Sequence, residues 1–146
     1  MKNILFQVTV AAQNGHCIWY GECHQDVAGH TKNCPYEGPA KELDSEGQEL
    51  FKKHCSYMLP SDNSVPKTCC DTHQLKLFDE NIKQAAALLQ RCPSCMLNFV
   101  KQICEFTCSP EQSTFINVSK TGINDKSEYF SLVLVRIVLV LNFLFK

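Results

Sequence analysis

Ten cysteines lie between Cys17 and Cys108 in a chain of 146 residues, and no other feature restricts the fold as tightly. Such a density is expected where thiols are oxidised, outside the cytosol. Ten cysteines can pair in about 945 ways, so connectivity does not follow from the sequence alone. Three uses of them compete. Cys92-x2-Cys95 with Cys104-x3-Cys108 resembles two pairs of zinc ligands. Cys92-Pro93-Ser94-Cys95 places a C-x-x-C at a helix start, where the dipole favours a thiolate. The third use is a structural disulfide scaffold. Zinc would leave six cysteines unexplained, and no βαβ pattern surrounds the C-x-x-C as a redox site needs. The scaffold is the preferred reading, with neither metal nor cofactor expected.

The length suits one domain. A net charge of -1 lacks the basic footprint that a nucleic-acid partner leaves, so none is expected. Met1-Lys2, the apolar run Ile4 to Ala12 and the small residues Val10-Ala11-Ala12 read as a signal peptide over 1–12. From Cys17 to Pro39 periodicity is weak, which predicts loops with a short strand at Cys17 to Tyr20. A helix is expected from Pro39 to His54, with Leu43, Leu50 and Phe51 on one side. Ser56 to Lys67 reads as a surface loop.

The clearest helix is Asp71 to Gln90. Asp71 and Gln74 have capping-box spacing, and Phe78, Ile82, Ala85 and Leu89 form an apolar stripe. Pro93 suits a helix N1 position, and the helix it opens carries Leu97, Val100, Ile103 and Cys104 inward to about Phe106. From Tyr129 to Phe145 the chain is apolar except at Ser131, Arg136 and Asn142. That run is shorter than the roughly 20 residues of a membrane span, and Arg136 would cost about 3 kcal/mol to insert. Residues 121–146 are therefore expected to be foreign to the domain, with a membrane anchor as the alternative.

Chemistry-bearing patterns are sparse. No nucleophile elbow, phosphate loop or carboxylate pair stands out, and His16, His24, His30, His54 and His73 are expected as exposed polar residues, so catalysis is not expected. Gln74 is the polar residue that stands out, because it continues the apolar stripe of its helix. A polar group there needs a partner. The helix cap and a ligand are both candidates.

Taken together, Cys17-Ile18-Trp19-Tyr20-Gly21-Glu22-Cys23, Asn33-Cys34, Cys69-Cys70-Asp71, Gln74-Leu75, Arg91-Cys92-Pro93-Ser94-Cys95 and Cys104-Glu105-Phe106-Thr107-Cys108-Ser109-Pro110 resemble the Niemann-Pick type C family. The likeness is to the N-terminal lumenal sterol-binding domain of its large, multi-spanning member. It spans about Cys17 to Ser119, and 13–120 would be the first half of that domain. The resemblance implies an α+β, mainly helical, disulfide-rich small domain, here partial. It also implies that cholesterol or an oxysterol is the ligand, bound without catalysis, with a small soluble sterol-transfer protein as partner and the late endosome or lysosome as location. Asn33 and Gln74 would meet the sterol hydroxyl, with Trp19 and Glu22 beside them and Phe78 on the apolar side. This matches what a rigid apolar molecule with one hydroxyl requires of a pocket.

The implied pairing is Cys17–Cys69, Cys23–Cys34, Cys55–Cys104 and Cys70–Cys108. Cys92 and Cys95 are left without downstream partners, to be free, joined to each other or intermolecular. Asn117-Val118-Ser119 is a glycosylation sequon at a family position. A fragment that keeps the fold but no longer binds lipid, acting as an interaction module, is the competing function.

Overall fold

The computed structural model describes residues 15–25, 28–29, 31–123 and 129–133, with side chains through residue 118. The leader expected at 1–12 and the last residues of the apolar run lie outside them. The chain forms a small disulfide-rich α+β domain. Strand β1 (Cys17–Gln25) pairs antiparallel with β2 (Thr31–Gly38). This corrects the expectation of loops over most of that segment. The alternation of a strand is masked because the register shifts three times between Cys17 and His24. Each irregularity moves the following side chains off the simple period of two.

Two short strands, β3 (Lys41–Glu42) and β4 (Lys67–Thr68), pair across the intervening helix. That helix, α1 (Ser45–His54), starts later than the sequence suggests. Asp44 is the reason: its carboxylate accepts from the Gly47 amide at 2.7 Å and so fixes the first turn. The same carboxylate accepts from Thr72 Oγ1 at 2.7 Å, tying α1 to the start of the next helix. Gly47 is where the two helices meet most closely. A Cβ there would stand 2.5 Å from Thr72 Oγ1.

Helix α2 (Thr72–Leu89) carries the full capping box, with Asp71 accepting from the Gln74 amide and the Gln74 side chain accepting from the Asp71 amide. Helix α3 (Pro93–Cys108) follows, with Pro93 at its first turn. The core lies among Leu43, Phe51, Leu75 and Phe78, and is completed by Cys55, Cys70, Cys104 and Cys108. It draws on the first half of α2 and the second half of α3. The other halves run past it, which is why Leu97, expected inward, is 56% exposed and Leu88 is 85% exposed.

Cys17 is joined to Cys69, Cys23 to Cys34, Cys55 to Cys104 and Cys70 to Cys108. Cys92 and Cys95, for which the sequence left three outcomes open, are joined to each other. Their closeness at the first turn of α3 makes this the geometrically available choice, since their Cα atoms are 5.2 Å apart. All ten cysteines are thus oxidised. Gln112, fully buried after α3, is a further fastener. It accepts from the Ile18 amide and donates to the Phe106 and Thr107 carbonyls, joining the end of α3 to β1.

Strand β5 (Val118–Ile123) pairs antiparallel with β6 (Tyr129–Val133), and β6 lies close to β2 and β1. The first five residues of the apolar run are therefore a strand beside the β1–β2 hairpin. Among the described residues no helix is long and apolar enough to cross a membrane.

Candidate functional site

The N-terminus of α2 and the middle of β1 form a polar corner, and the Gln74 side chain is its centre. Gln74 is 4% exposed. Its Oε1 accepts from the Gly21 amide at 3.0 Å and from the Asp71 amide at 3.0 Å. Its Nε2 donates to Asn33 Oδ1 at 3.0 Å. An amide oxygen has two lone pairs and an amide nitrogen two N–H groups. The oxygen is therefore fully used, the side chain cannot flip without loss, and one N–H is left beyond the bond to Asn33.

The local sequence explains this arrangement. Gly21 has φ +72°, in the left-handed region that favours glycine, and a Cβ there would come within 3.0 Å of Asp71 Oδ2. The kink turns the Gly21 amide toward α2. Asn33 is the Cα partner of Glu22 across the hairpin, so the same pairing brings Asn33 and Glu22 to neighbouring positions. The Cys23–Cys34 bridge locks the next residues of both strands.

Two buried polar atoms of β1 lack a well-aligned hydrogen-bond partner among the described residues: Trp19 Nε1 and Glu22 Oε2. Both belong to β1, three residues apart in sequence. Trp19 is fully buried, its ring tilted against Phe106 with centroids 5.0 Å apart. Glu22 Oε2 is 3.2 Å from His73 Nε2. When protonated, His73 acts on that oxygen by charge and by a poorly aligned hydrogen bond. Burial raises the Glu22 carboxyl above its usual range; His73 opposes that effect, and Asp71 adds to it. An orphaned buried polar group costs about 1–3 kcal/mol, and such groups call for an explanation.

Of the residues singled out from the sequence, Asn33 and Gln74 are brought into direct contact, with Glu22 adjacent across the hairpin. Phe78 is not brought to the corner. One turn beyond Gln74, it enters the core and its ring meets His54, centroids 5.6 Å apart. His54 is itself a correction, because its side chain is 10% exposed, 2.6 Å from Asp79. Asp79 also receives Lys53 and Lys83, and these partners hold its carboxyl well below the usual range. That cluster escaped sequence reasoning, although the spacing of Asp79 and Lys83, one helical turn apart, was a visible signal. His73 is 66% exposed, as expected of a polar surface histidine, but its approach to Glu22 had no signal in the sequence.

A cleft of about 320 Å³ lies among Phe51, Met58, Val65, Pro66 and Pro110, and it shares no lining residue with the corner. Among the described residues no cluster of His, Cys, Asp and Glu is arranged to hold a metal ion. Asn117 is exposed, which a glycan would require.

Fold and corner together define a small disulfide-stapled α+β domain with a hydrogen-bonded polar corner at the junction of a hairpin and a helix. The chain belongs to the Niemann-Pick C1 N-terminal family, whose model matches residues 14–139. That match extends beyond residue 120, where the sequence reading ended the domain. The chain is 39% identical over 118 residues to the NPC intracellular cholesterol transporter 1 of Sus scrofa, across 81% of this chain and 9% of that protein. It is 34% identical over 121 residues to the NPC1-like intracellular cholesterol transporter 1 of Homo sapiens, across 78% and 9%. Against the NPC intracellular cholesterol transporter 1 homolog 1 of Caenorhabditis elegans the figures are 35% over 124 residues, across 79% and 8%. The chain spans about a tenth of the length of these relatives.

Proposed function

We propose that this chain binds a sterol non-catalytically, by its hydroxyl, as the polar-recognition part of a lumenal cholesterol-handling domain. The observation that carries the reading is the Gln74 amide, pinned by Gly21, Asp71 and Asn33, with Glu22 opposite Asn33 across the hairpin. A sterol hydroxyl both donates and accepts. Gln74 Nε2 can donate to it, and Glu22 Oε2 can accept from it; no contact joins Trp19 to these groups, and its ring packs on Phe106. Relatives named as cholesterol transporters support the ligand class. The five disulfides support a secretory or lumenal setting, in the late endosome or lysosome on the family pattern. A small soluble sterol-transfer protein is the proposed exchange partner, and Asn117 the proposed glycan site. One observation favours a second reading, a structural module without lipid: Phe78 is committed to the core, so it offers no apolar wall to the corner.

Equilibrium binding of labelled cholesterol to the intact chain decides between them. Asn33→Ala is the appropriate variant, because Asn33 touches the corner through one side-chain bond. Saturable binding should weaken roughly tenfold in that variant, and a sterol lacking the hydroxyl should compete no better, the effect of about 1–3 kcal/mol for an unpaired buried polar group. A folded chain that binds neither sterol supports the structural module instead.

A further inference from the structure

The contact between His73 and Glu22 is the part of the corner that can respond to its surroundings. His73 is the second residue of α2, next to Gln74, and its side chain is 66% exposed. Glu22, by contrast, is 12% exposed at the side chain. The pair thus joins a group open to bulk pH to a carboxylate that is not. Histidine is the side chain whose ordinary charge change falls between about pH 5 and 8. Resting on the sterol reading above, we propose that His73 is a positioning residue: protonated, it holds Glu22 as a paired carboxylate in the hydroxyl corner, so that sterol binds more tightly at acidic than at neutral pH.

The other charges around Glu22 give the direction. Asp71, at the start of α2, is a like charge and works against the carboxylate. His24 and Lys32 face each other one rung along the hairpin from Glu22 and Asn33, and β6, which lies near, contributes no acidic or basic residue to its own strand. His73 is the charge opposed to Asp71 on the α2 side. When imidazole loses its proton, Glu22 keeps the repulsion of Asp71 and loses that attraction. The carboxylate is then held toward α2 less strongly.

Sterol strengthens the coupling. A hydrophobic body seated over the corner removes water from Glu22, and attraction between opposite charges grows as the effective dielectric falls. The bound state then favours protonated His73 more than the free state does, and binding takes up a proton. Affinity falls as pH rises through the histidine's titration. Loss of one such charge contact corresponds to about a three- to tenfold change in affinity.

The test measures labelled cholesterol binding to the intact chain between pH 5 and 8, with His73→Arg and His73→Gln beside the parent. Arginine keeps its charge throughout that range. The parent should lose about three- to tenfold in affinity on going to neutral pH. His73→Arg should hold the acidic affinity at both ends, and His73→Gln should show the neutral affinity at both ends. Glu22→Gln, which removes the carboxylate, should flatten the pH profile of binding. Binding with the same pH profile in His73→Arg as in the parent, or the parent's profile kept by Glu22→Gln, overturns the inference and leaves sterol binding standing. No binding at any pH by a chain shown to be folded overturns it through the sterol reading.

Discussion

Replacing Gln74 with alanine should destabilise the fold before it says anything about ligand. Three hydrogen bonds end on this one side chain, at 3.0 Å each. The Gly21 amide is buried and would be left unpaired, at about 1–3 kcal/mol. Loss of the return half of the capping box adds roughly 0.5–1 kcal/mol, within the range of cap deletions. The bond to Asn33 adds about 0.5–1.5 kcal/mol, typical of a net hydrogen bond. Alanine's better helix propensity gives back only a few tenths of a kcal/mol, roughly. The sum is about 3 kcal/mol, a large fraction of the 5–15 kcal/mol that typically holds a domain together.

Urea unfolding followed by far-UV circular dichroism, with all disulfides intact, measures it. With a slope of about 1–3 kcal/mol per molar, the midpoint should drop by roughly 1–3 M. Gln74→Glu is the informative companion, because it retains an oxygen for both backbone amides and loses the donor to Asn33. A Gln74→Ala variant within about 1 kcal/mol of the parent would refute the reasoning. It would mean that Gly21 finds another partner, and that the Gln74 amide is not what fastens β1 to α2. If the loss is as large as expected, weakened sterol binding by Gln74→Ala carries no information about recognition.

Two other outcomes follow from exposure and charge. The Cys92–Cys95 bridge closes a short loop at a largely exposed helix start, whereas Cys17, Cys55, Cys69, Cys70, Cys104 and Cys108 are fully buried. Under limiting reductant, differential alkylation and mass spectrometry should find Cys92 and Cys95 modified first, and their double serine variant should lose about 2 kcal/mol against about 4 for Cys17 with Cys69. Asp79, ionised with Lys53, Lys83 and His54 around it, has a folded titration point below its unfolded one. Its stabilisation is complete above the ordinary aspartate range and disappears only as pH falls through the depressed folded value. Asp79→Asn should therefore lower the thermal midpoint at pH 5 and flatten the parent's loss of stability below about pH 4, with a parallel decline in both proteins counting against the cluster.

What the sequence discloses here depends on how local the physics is. The capping box at Asp71 and Gln74 and the proline start of α3 are legible because each involves residues within one turn. The β1–β2 hairpin was obscured by its own irregularities. Yet the shift of register between Trp19 and Glu22 brackets Gly21, whose amide faces Gln74. The disorder in the pattern and the placement of the corner therefore have one origin. Phe78 fails as a wall residue for the opposite reason: the stripe predicts that it is buried but cannot say against what, and α1 claims it. His73 and Glu22 are 51 positions apart, and neither stands out alone.

The separation of roles along α2 gives the corner its chemical character. Leu75 and Phe78 turn to the core, Gln74 fixes the hairpin, and His73 is left on the solvent side against a half-buried acid. On the proposals above, three consecutive residues serve packing, recognition and response to pH. A domain built this way can keep its fold while its ligand affinity follows the charge of a single exposed imidazole.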